Sequence, residues 1–402
     1  MKYRPELLAP AGNMEKLLFA FQYGADSAYL GGQYFNLRER AGNFSSLELK
    51  KAVQLASELN KKIYFTLNSS FRNSDFKKLE LLCERLLKTG IKNLIISDLG
   101  ALEFINKYYK KAFHISISTQ ANITNFHALS LLKKLNASRV ILARELDLNE
   151  ISQIKKKSDL ELENFIHGAM CVAFSGRCLL SEYLTGRNAN RGDCTQSCRW
   201  DYYITEKTRK DEFFPIIEDK EGTTILSSRD LCTLDILKRL MSIRIDSFKI
   251  EGRMKSLYYV ANVTRVYRNA IDSILAHRKM DRDLLFRELD SVSHRPYFTG
   301  FYTSDKRSIT HDRSYIRKFE FLGYLKRRVK DDLFELVLKN KLEEGDKIQL
   351  IMPDMKNHNL KKFTLYDKNY KRVKRGVINQ RFYIELTGDA SEYGILRKKL
   401  GK

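Results

Sequence analysis

The chain has no H-E-x-x-H, no G-x-S-x-G and no Walker A loop, which excludes the common zinc-peptidase helix, the serine nucleophile elbow and the P-loop. It also lacks any C-x-x-C pair, the usual unit of zinc ribbons and fingers. Prolines number only five and tryptophan one, and no polar low-complexity tract occurs, so a conventional globule is expected rather than a disordered chain. No apolar run approaches the ~20 residues that a bilayer span requires. The first residues, MKYRPELLAPAGN, show no apolar signal-peptide region. A cytoplasmic protein with no membrane association is therefore expected. In that compartment thiols stay reduced, so the six cysteines point to metal or redox chemistry rather than disulfides.

What the chain has in excess is positive charge. Lysine and arginine number 72 against 49 acidic residues, a net charge of +23 over 402 residues. Such an imbalance suggests a polyanionic partner, nucleic acid first, although a basic solvated surface is the plainer alternative.

Short apolar segments alternate with amphipathic ones from the start. Strands are predicted at Leu7–Pro10, Ser27–Leu30, Ile63–Leu67, Asn93–Ser97, His114–Ser118, Arg139–Ala143, Leu162–His167 and Ser247–Glu251. Helical patterns separate them, and Asn13, Ser45 and Ser74 are placed to cap three of these helices. Eight strands in strand–helix alternation predict a parallel (β/α)8, TIM-like barrel over residues 1–292, with a doubly wound sheet as the competing arrangement. Residues 293–318 read as a linker. From residue 319 to 402 the pattern changes to short alternating strands, a small β-barrel domain. This segment holds 20 basic and 12 acidic residues, a net +8, interleaved with Tyr366, Tyr370, Phe382 and Tyr383. Basic side chains between aromatic ones suit RNA backbone and bases.

In a barrel, active sites form at the C-terminal ends of the strands. An insertion, 171–246, follows the seventh strand there and far exceeds ordinary loop lengths. It carries Cys171, Cys178, Cys194, Cys198 and Cys232 among glycines and among Arg177, Arg187, Arg191 and Arg199. Irregularly spaced thiols on a long loop suit an iron–sulfur cluster; zinc and simple burial are the alternatives. Cys83 falls at an apolar position of a helix and is expected in the core. Other polar residues end strands on the same face: Asn68, Gln120 with Asn122, Arg144 with Glu145, and Glu251 with Arg253. His167 ends the seventh strand. Strand alternation puts Lys249, Glu251 and Arg253 on one face, toward the mouth of the barrel or in a salt-bridged rim.

The run Glu163-x-Phe165-x-x-Gly168-x-Met170-Cys171-x4-Gly176-x-Cys178-x-Leu180-Ser181 resembles the signature of the U32 group of collagenase-like peptidases. ELLAPAG at Glu6–Gly12, GADSAYLGG at Gly24–Gly32, STQANITN at Ser118–Asn125 and FKIEGRMKS at Phe248–Ser256 are similar to further blocks of it. Within the group, the NRGDCTQSCRW block at Asn190–Trp200 and the C-terminal β domain look most like the bacterial prephenate-dependent tRNA uridine 5-hydroxylases. That resemblance implies a [4Fe–4S] cluster on Cys171, Cys178, Cys194 and Cys232, with Cys198 as the alternative to Cys194. It also implies tRNA as partner and prephenate as a small carboxylated co-substrate. On this reading Arg177, Arg187 and Arg253, with Gln120 and Asn68, are the substrate-binding candidates. His167, Glu251 and Lys249 are the candidates for catalysis by proton transfer. A U32-type peptidase and a non-catalytic RNA-binding accessory protein are the two alternatives, the first lacking a visible nucleophile–base pair.

Overall fold

Eight short, almost wholly buried segments form the centre of the first unit. They are β1 (Glu6–Pro10), β2 (Ser27–Leu30), β3 (Lys62–Leu67), β4 (Asn93–Ile96), β5 (His114–Ile117), β6 (Ala137–Ile141), β7 (Glu161–Ala169) and β8 (Ser247–Ile250). A computed structural model describes residues 3–37, 42–171, 173–199, 217–219, 222–224, 229–303, 315–360, 362–386 and 388–401. Each of the eight strands pairs in parallel with its successor, and β8 pairs with both β7 and β1. The sheet is therefore a closed TIM-like barrel with helices between the strands, and the doubly wound alternative is excluded. Two additions extend β7. Asp230–Cys232 runs antiparallel to its end, and Tyr297–Phe298 lies parallel to that strand.

The local signals explain the helix starts. Ser45 and Glu48 form a capping box, and Asn13 accepts the amide of Lys16 at 2.9 Å. Ser74 is not a cap: the helix Phe76–Thr89 is entered through a 3₁₀ turn, where Asp75 accepts the backbone amide of Arg72 instead. Cys83 is buried on that helix, and burial pushes its thiol up to about 12.

The barrel interior contains charge. Arg139 on β6 pairs with Glu6 on β1 at 2.8 Å, with Glu163 on β7 at 3.1 Å and with Glu161 at 2.7 Å. Lys249 on β8 pairs with Glu163 at 3.1 Å. Ser27 and Tyr64 hydroxyls donate to Glu6 at 2.8 and 3.2 Å. Burial alone pushes the Glu6 carboxyl up, but Arg139 and these donors outweigh it and hold it below the usual carboxylate range.

The second unit comprises Gln22–Gly24, Ser256–His294 and Tyr315–Lys402, while the first takes in the described residues of Arg295–Ser314. The division therefore differs from one at residues 292 and 319: the helices Leu257–Leu275 and Arg282–Leu289 belong with the C-terminal strands. Those strands make an eight-stranded antiparallel sheet, curled around a core that includes Leu325, Phe334, Leu365 and Ile384. A buried ion cluster accounts for the grouping. Glu288 receives Arg265 at 2.6 Å and Arg397 at 2.7 Å, and Arg397 also reaches Tyr258 Oη at 2.8 Å.

Two predictions follow from these buried charges. Glu288→Gln leaves two buried guanidinium groups without their shared carboxylate. It should lower the stability of the second unit by about 3–5 kcal/mol in chemical denaturation; a loss under 1 kcal/mol would mean that the cluster is not paired as described. Glu6 has a native pKa below its unfolded value of about 4.3. Its contribution is therefore complete above pH ~5 and is lost as the pH falls through the native value. The melting-temperature gap between wild type and Glu6→Gln should shrink between pH 6 and pH 3. A gap that stays constant counts against the pairing.

Candidate functional site at the barrel mouth

A cavity of about 260 Å³ opens at the C-terminal ends of the barrel strands. The cysteine insertion forms one wall, and its position is set by polar bonds to the strand ends. After β6, Glu145 accepts both the amide and the hydroxyl of Ser175 at 2.6 Å. After β5, Asn122 donates to the Phe174 carbonyl at 3.1 Å. After β3, Arg191 pairs with Asp75 at 2.9 Å and donates to the Ser70 carbonyl at 3.0 Å. Gly168 lets β7 turn into this wall. Its φ is +108°, and an added Cβ there would collide with the Glu251 carbonyl.

Cys171, Cys178, Cys194 and Cys198 all line the cavity, and none is in a disulfide. The amide of Leu180 donates to Cys178 Sγ, and that of Gln196 to Cys194 Sγ, each at 3.4 Å. Cys232 stands on the strand that extends β7. It is buried on its strand, across from His167 of β7, and is not among the cavity-lining thiols. Among the described residues no three histidine, cysteine or carboxylate side chains converge as a single metal ion would require. Unbridged soft thiols sharing one wall, two of them already accepting backbone amides, instead fit a multi-iron cluster, whose ligands bind different irons. Trp200 and the side chain of Arg199 lie outside the described residues.

Another part of the wall comes from β8 and the residues just after it. Lys249, Glu251 and Arg253 all line the cavity, Lys249 from the strand itself and the other two from the segment after its end at Ile250. Lys249 is 5% exposed, bound to Glu163, with its ammonium 4.5 Å from the centre of the Tyr29 ring. Glu251 accepts the Tyr29 hydroxyl at 3.2 Å. Burial, reinforced by Glu251, raises that hydroxyl's pKa well above the ordinary tyrosine value. Arg253 is buried and donates to Thr66 at 3.2 Å and to Asn36. Gly31 makes room for it, since a Cβ there would strike the guanidinium. Gln120 and Asn68 also line the cavity and bond to each other at 3.4 Å.

Besides Cys232, three expected site residues do not line this cavity. His167 is buried against Tyr297, with ring centres 5.2 Å apart, and does not reach the wall. The register of β7 with β8 shifts beside it, between Lys249 and Ile250. Arg177 is exposed and donates to the Gln120 carbonyl at 2.7 Å. Arg187 is paired with Asp193 at 2.6 Å. Arg144, noted only as one of several strand-end residues, does line the cavity.

The second unit carries a separate basic and aromatic surface. Arg327, Glu335, Tyr383, Tyr366 and Arg372 lie opposite one another across five strands, and so share a face. Exposed Tyr370 stacks on Tyr383 with ring centres 4.6 Å apart and planes at 16°. Lys326 and Arg327 bond Glu335 at 3.0 and 2.7 Å, and Arg381 approaches it at 3.7 Å, leaving an excess of cation beside the rings. Phe382, expected among the RNA-facing aromatics, points into the core.

The sequence profile of peptidase family U32 matches residues 12–312, and that of the family's C-terminal domain matches residues 317–397. The chain is 35% identical to tRNA hydroxylation protein P1 of Bacillus subtilis, over 91% of this chain and 88% of the relative. It is 33% identical to tRNA hydroxylation protein P of Escherichia coli, over 87% of each. It is 32% identical to a collagenase of Porphyromonas gingivalis, over 75% of this chain and 74% of that protein. With signature residues on the cavity wall and both profiles matched in order, the chain belongs to peptidase family U32.

Proposed function

We propose that the chain is an RNA hydroxylase that places a hydroxyl group on C5 of the wobble uridine of tRNA in a prephenate-dependent reaction. The observation that carries this reading is the 35% identity, along nine-tenths of the chain, to a tRNA hydroxylation protein. The cavity supports it with groups that suit small-anion binding and electron transfer. Cys171, Cys178, Cys194 and Cys232 would hold a [4Fe–4S] cluster. Cys198, on the same cavity, is the alternative to Cys194. Such a cluster supplies one-electron chemistry when bound. Around it, Lys249 and Arg253 provide fixed positive charge, and Glu251 is the carboxylate placed to accept a proton beside Tyr29. Tyrosine and arginine on the second unit give unpaired bases a stacking surface and phosphates their counter-charge. A tRNA substrate goes with a cytoplasmic setting, and among the described residues no helix is long and apolar enough to cross a membrane.

The peptidase reading also has relatives behind it, among them the Porphyromonas collagenase and an uncharacterized protease of Methanocaldococcus jannaschii, 39% identical over 86% of each chain. Among the described residues, however, no histidine lines the cavity and Glu251 is the only carboxylate there, so hydrolysis lacks an evident nucleophile–base pair.

Nucleoside mass spectrometry of tRNA from cells with and without the gene decides between these readings. Loss of 5-hydroxyuridine derivatives, restored by wild type but not by Cys171→Ser, is the expected result. Unchanged nucleosides together with peptide cleavage by cluster-free protein would sink the hydroxylase reading. For the RNA surface, Tyr370→Ala should weaken tRNA binding by about 1–3 kcal/mol. Arg327→Ala with Arg381→Ala should reduce the salt-dependence slope by about 2. Equal slopes for wild type and variant would remove this face from the interface.

A further inference from the structure

We infer that the short helix Leu180–Thr185, on the cysteine wall, is a stacking platform for RNA. Tyr183, with Leu179 beside it, takes the unpaired base next to the uridine that enters the cavity. This rests on the reading of the chain as an RNA hydroxylase and names the part of the barrel unit that holds the RNA outside the cavity.

Four large apolar side chains stand in solvent within eleven residues of this wall: Phe174 is 50% exposed, Leu179 70%, Tyr183 87% and Leu184 40%. Among the described residues no other stretch of that length carries more than two. Single exposed apolar side chains are ordinary, whereas a cluster beside a cavity marks a contact surface. The helix fixes which way they face. Ser181 is buried on it, and its hydroxyl donates to the Arg187 carbonyl at 2.8 Å and accepts the Thr195 amide at 3.0 Å. The Tyr183 amide donates to the Leu179 carbonyl at 2.8 Å, so the helical spiral takes in Leu179. At about 100° per residue, Leu179 and Tyr183 fall on the side opposite Ser181, one above the other. Leu180 and Leu184 lie between the two sides, and Leu180 lines the cavity. An apolar stripe therefore runs from the cavity lip at Leu180 outward to Tyr183.

The cavity and the local charge decide what covers the stripe. A cavity of about 260 Å³ is smaller than the ~300–1,000 Å³ pockets that enclose drug-sized ligands, so it admits one base and leaves the rest of an RNA outside. A base turned out of its strand into a pocket leaves its neighbours at the rim, where contacts to the flanking nucleotides set substrate choice. Unpaired RNA bases stack on aromatic side chains. Charge favours RNA over an apolar protein face. Both carboxylates of the wall are occupied, Glu182 by Asn188 at 2.7 Å and Asp193 by Arg187 at 2.6 Å. Arg177 is exposed, and among the described residues it meets a carbonyl and no carboxylate. An aromatic stripe beside an uncompensated cation, with no open carboxylate to repel phosphate, suits a base and its backbone. A protein seated permanently on the stripe would also cover the cavity lip at Leu180.

The test uses full-length protein purified without oxygen, as wild type, Tyr183→Phe and Tyr183→Ala. The probes are two anticodon stem-loop RNAs, each carrying 2-aminopurine on one side of the wobble uridine. Tyr183 is so exposed that Tyr183→Ala should melt at the wild-type temperature. In one of the two RNAs the 2-aminopurine fluorescence should be quenched by wild type and by Tyr183→Phe, which keeps the ring. Tyr183→Ala should lose that quench and raise the Kd roughly 5- to 150-fold. If Tyr183→Ala binds and quenches like wild type, the platform is wrong, while the hydroxylase reading survives. If neither RNA binds wild type, the tRNA reading falls together with the platform. If sedimentation shows wild type as a dimer that Tyr183→Ala splits into monomers, the stripe joins copies of the chain and the proposal is overturned.

Discussion

A charged group buried in a barrel must be paired, because its desolvation cost otherwise exceeds what packing returns. Arg139 imposes that constraint on the first unit. Its guanidinium meets Glu6 from β1, Glu163 from β7 and Glu161, and Glu163 in turn receives Lys249 from β8. The strands that close the barrel are thus linked by charge as well as by backbone pairing. Lys249 is where this network meets the cavity, since it lies on Glu163 and also on the wall. The amine is anchored from below and sandwiched by Tyr29 and Phe165, at 4.5 and 5.5 Å from the ring centres. A lysine so held offers a fixed positive charge rather than a mobile base.

The cysteine wall is positioned differently. Few large apolar side chains anchor it, and Leu179, Tyr183 and Phe174 are exposed. Its place depends on Glu145, Asn122, Asp75 and Asn190, and on the Ser181 hydroxyl, which accepts the Thr195 amide at 3.0 Å. Hydrogen bonds of this kind are individually modest but directional. They specify which way a thiol faces without requiring the insertion to fold as a core of its own. A cofactor bound by these thiols would add the cohesion that apolar packing does not supply.

The barrel was legible because its signals are local and repeated. All eight strands lie where apolar periodicity places them, within one or two residues at most ends. Lys249, Glu251 and Arg253 share the cavity, although β8 ends at Ile250 and strand alternation reaches only the first of them. What failed needed information from elsewhere in the chain. The burial of His167 follows from Tyr297, 130 residues later. Arg177 and Arg187 were indistinguishable from ligand-binding arginines until Gln120 and Asp193 were seen to occupy them. The long strand Phe319–Lys330 escaped notice because its basic second half is exposed and breaks apolar alternation. The grouping of Leu257–Leu275 with the C-terminal strands depends on Glu288 and Arg397, which no window of the sequence brings together.

The chemistry of the cavity can be weighed against the name of the family. Peptide hydrolysis asks for an activated nucleophile, or a water with a base and an electrophile beside it. The described wall offers thiols, three cations and one carboxylate hydrogen-bonded to a tyrosine. Cations exceed carboxylates three to one there, and Lys249 and Arg253 are immobilised by the protein itself. Fixed positive charge in a cavity shared with unbridged thiols suits the holding of an anion, since the charge stabilises both an anion and electron-rich sulfur.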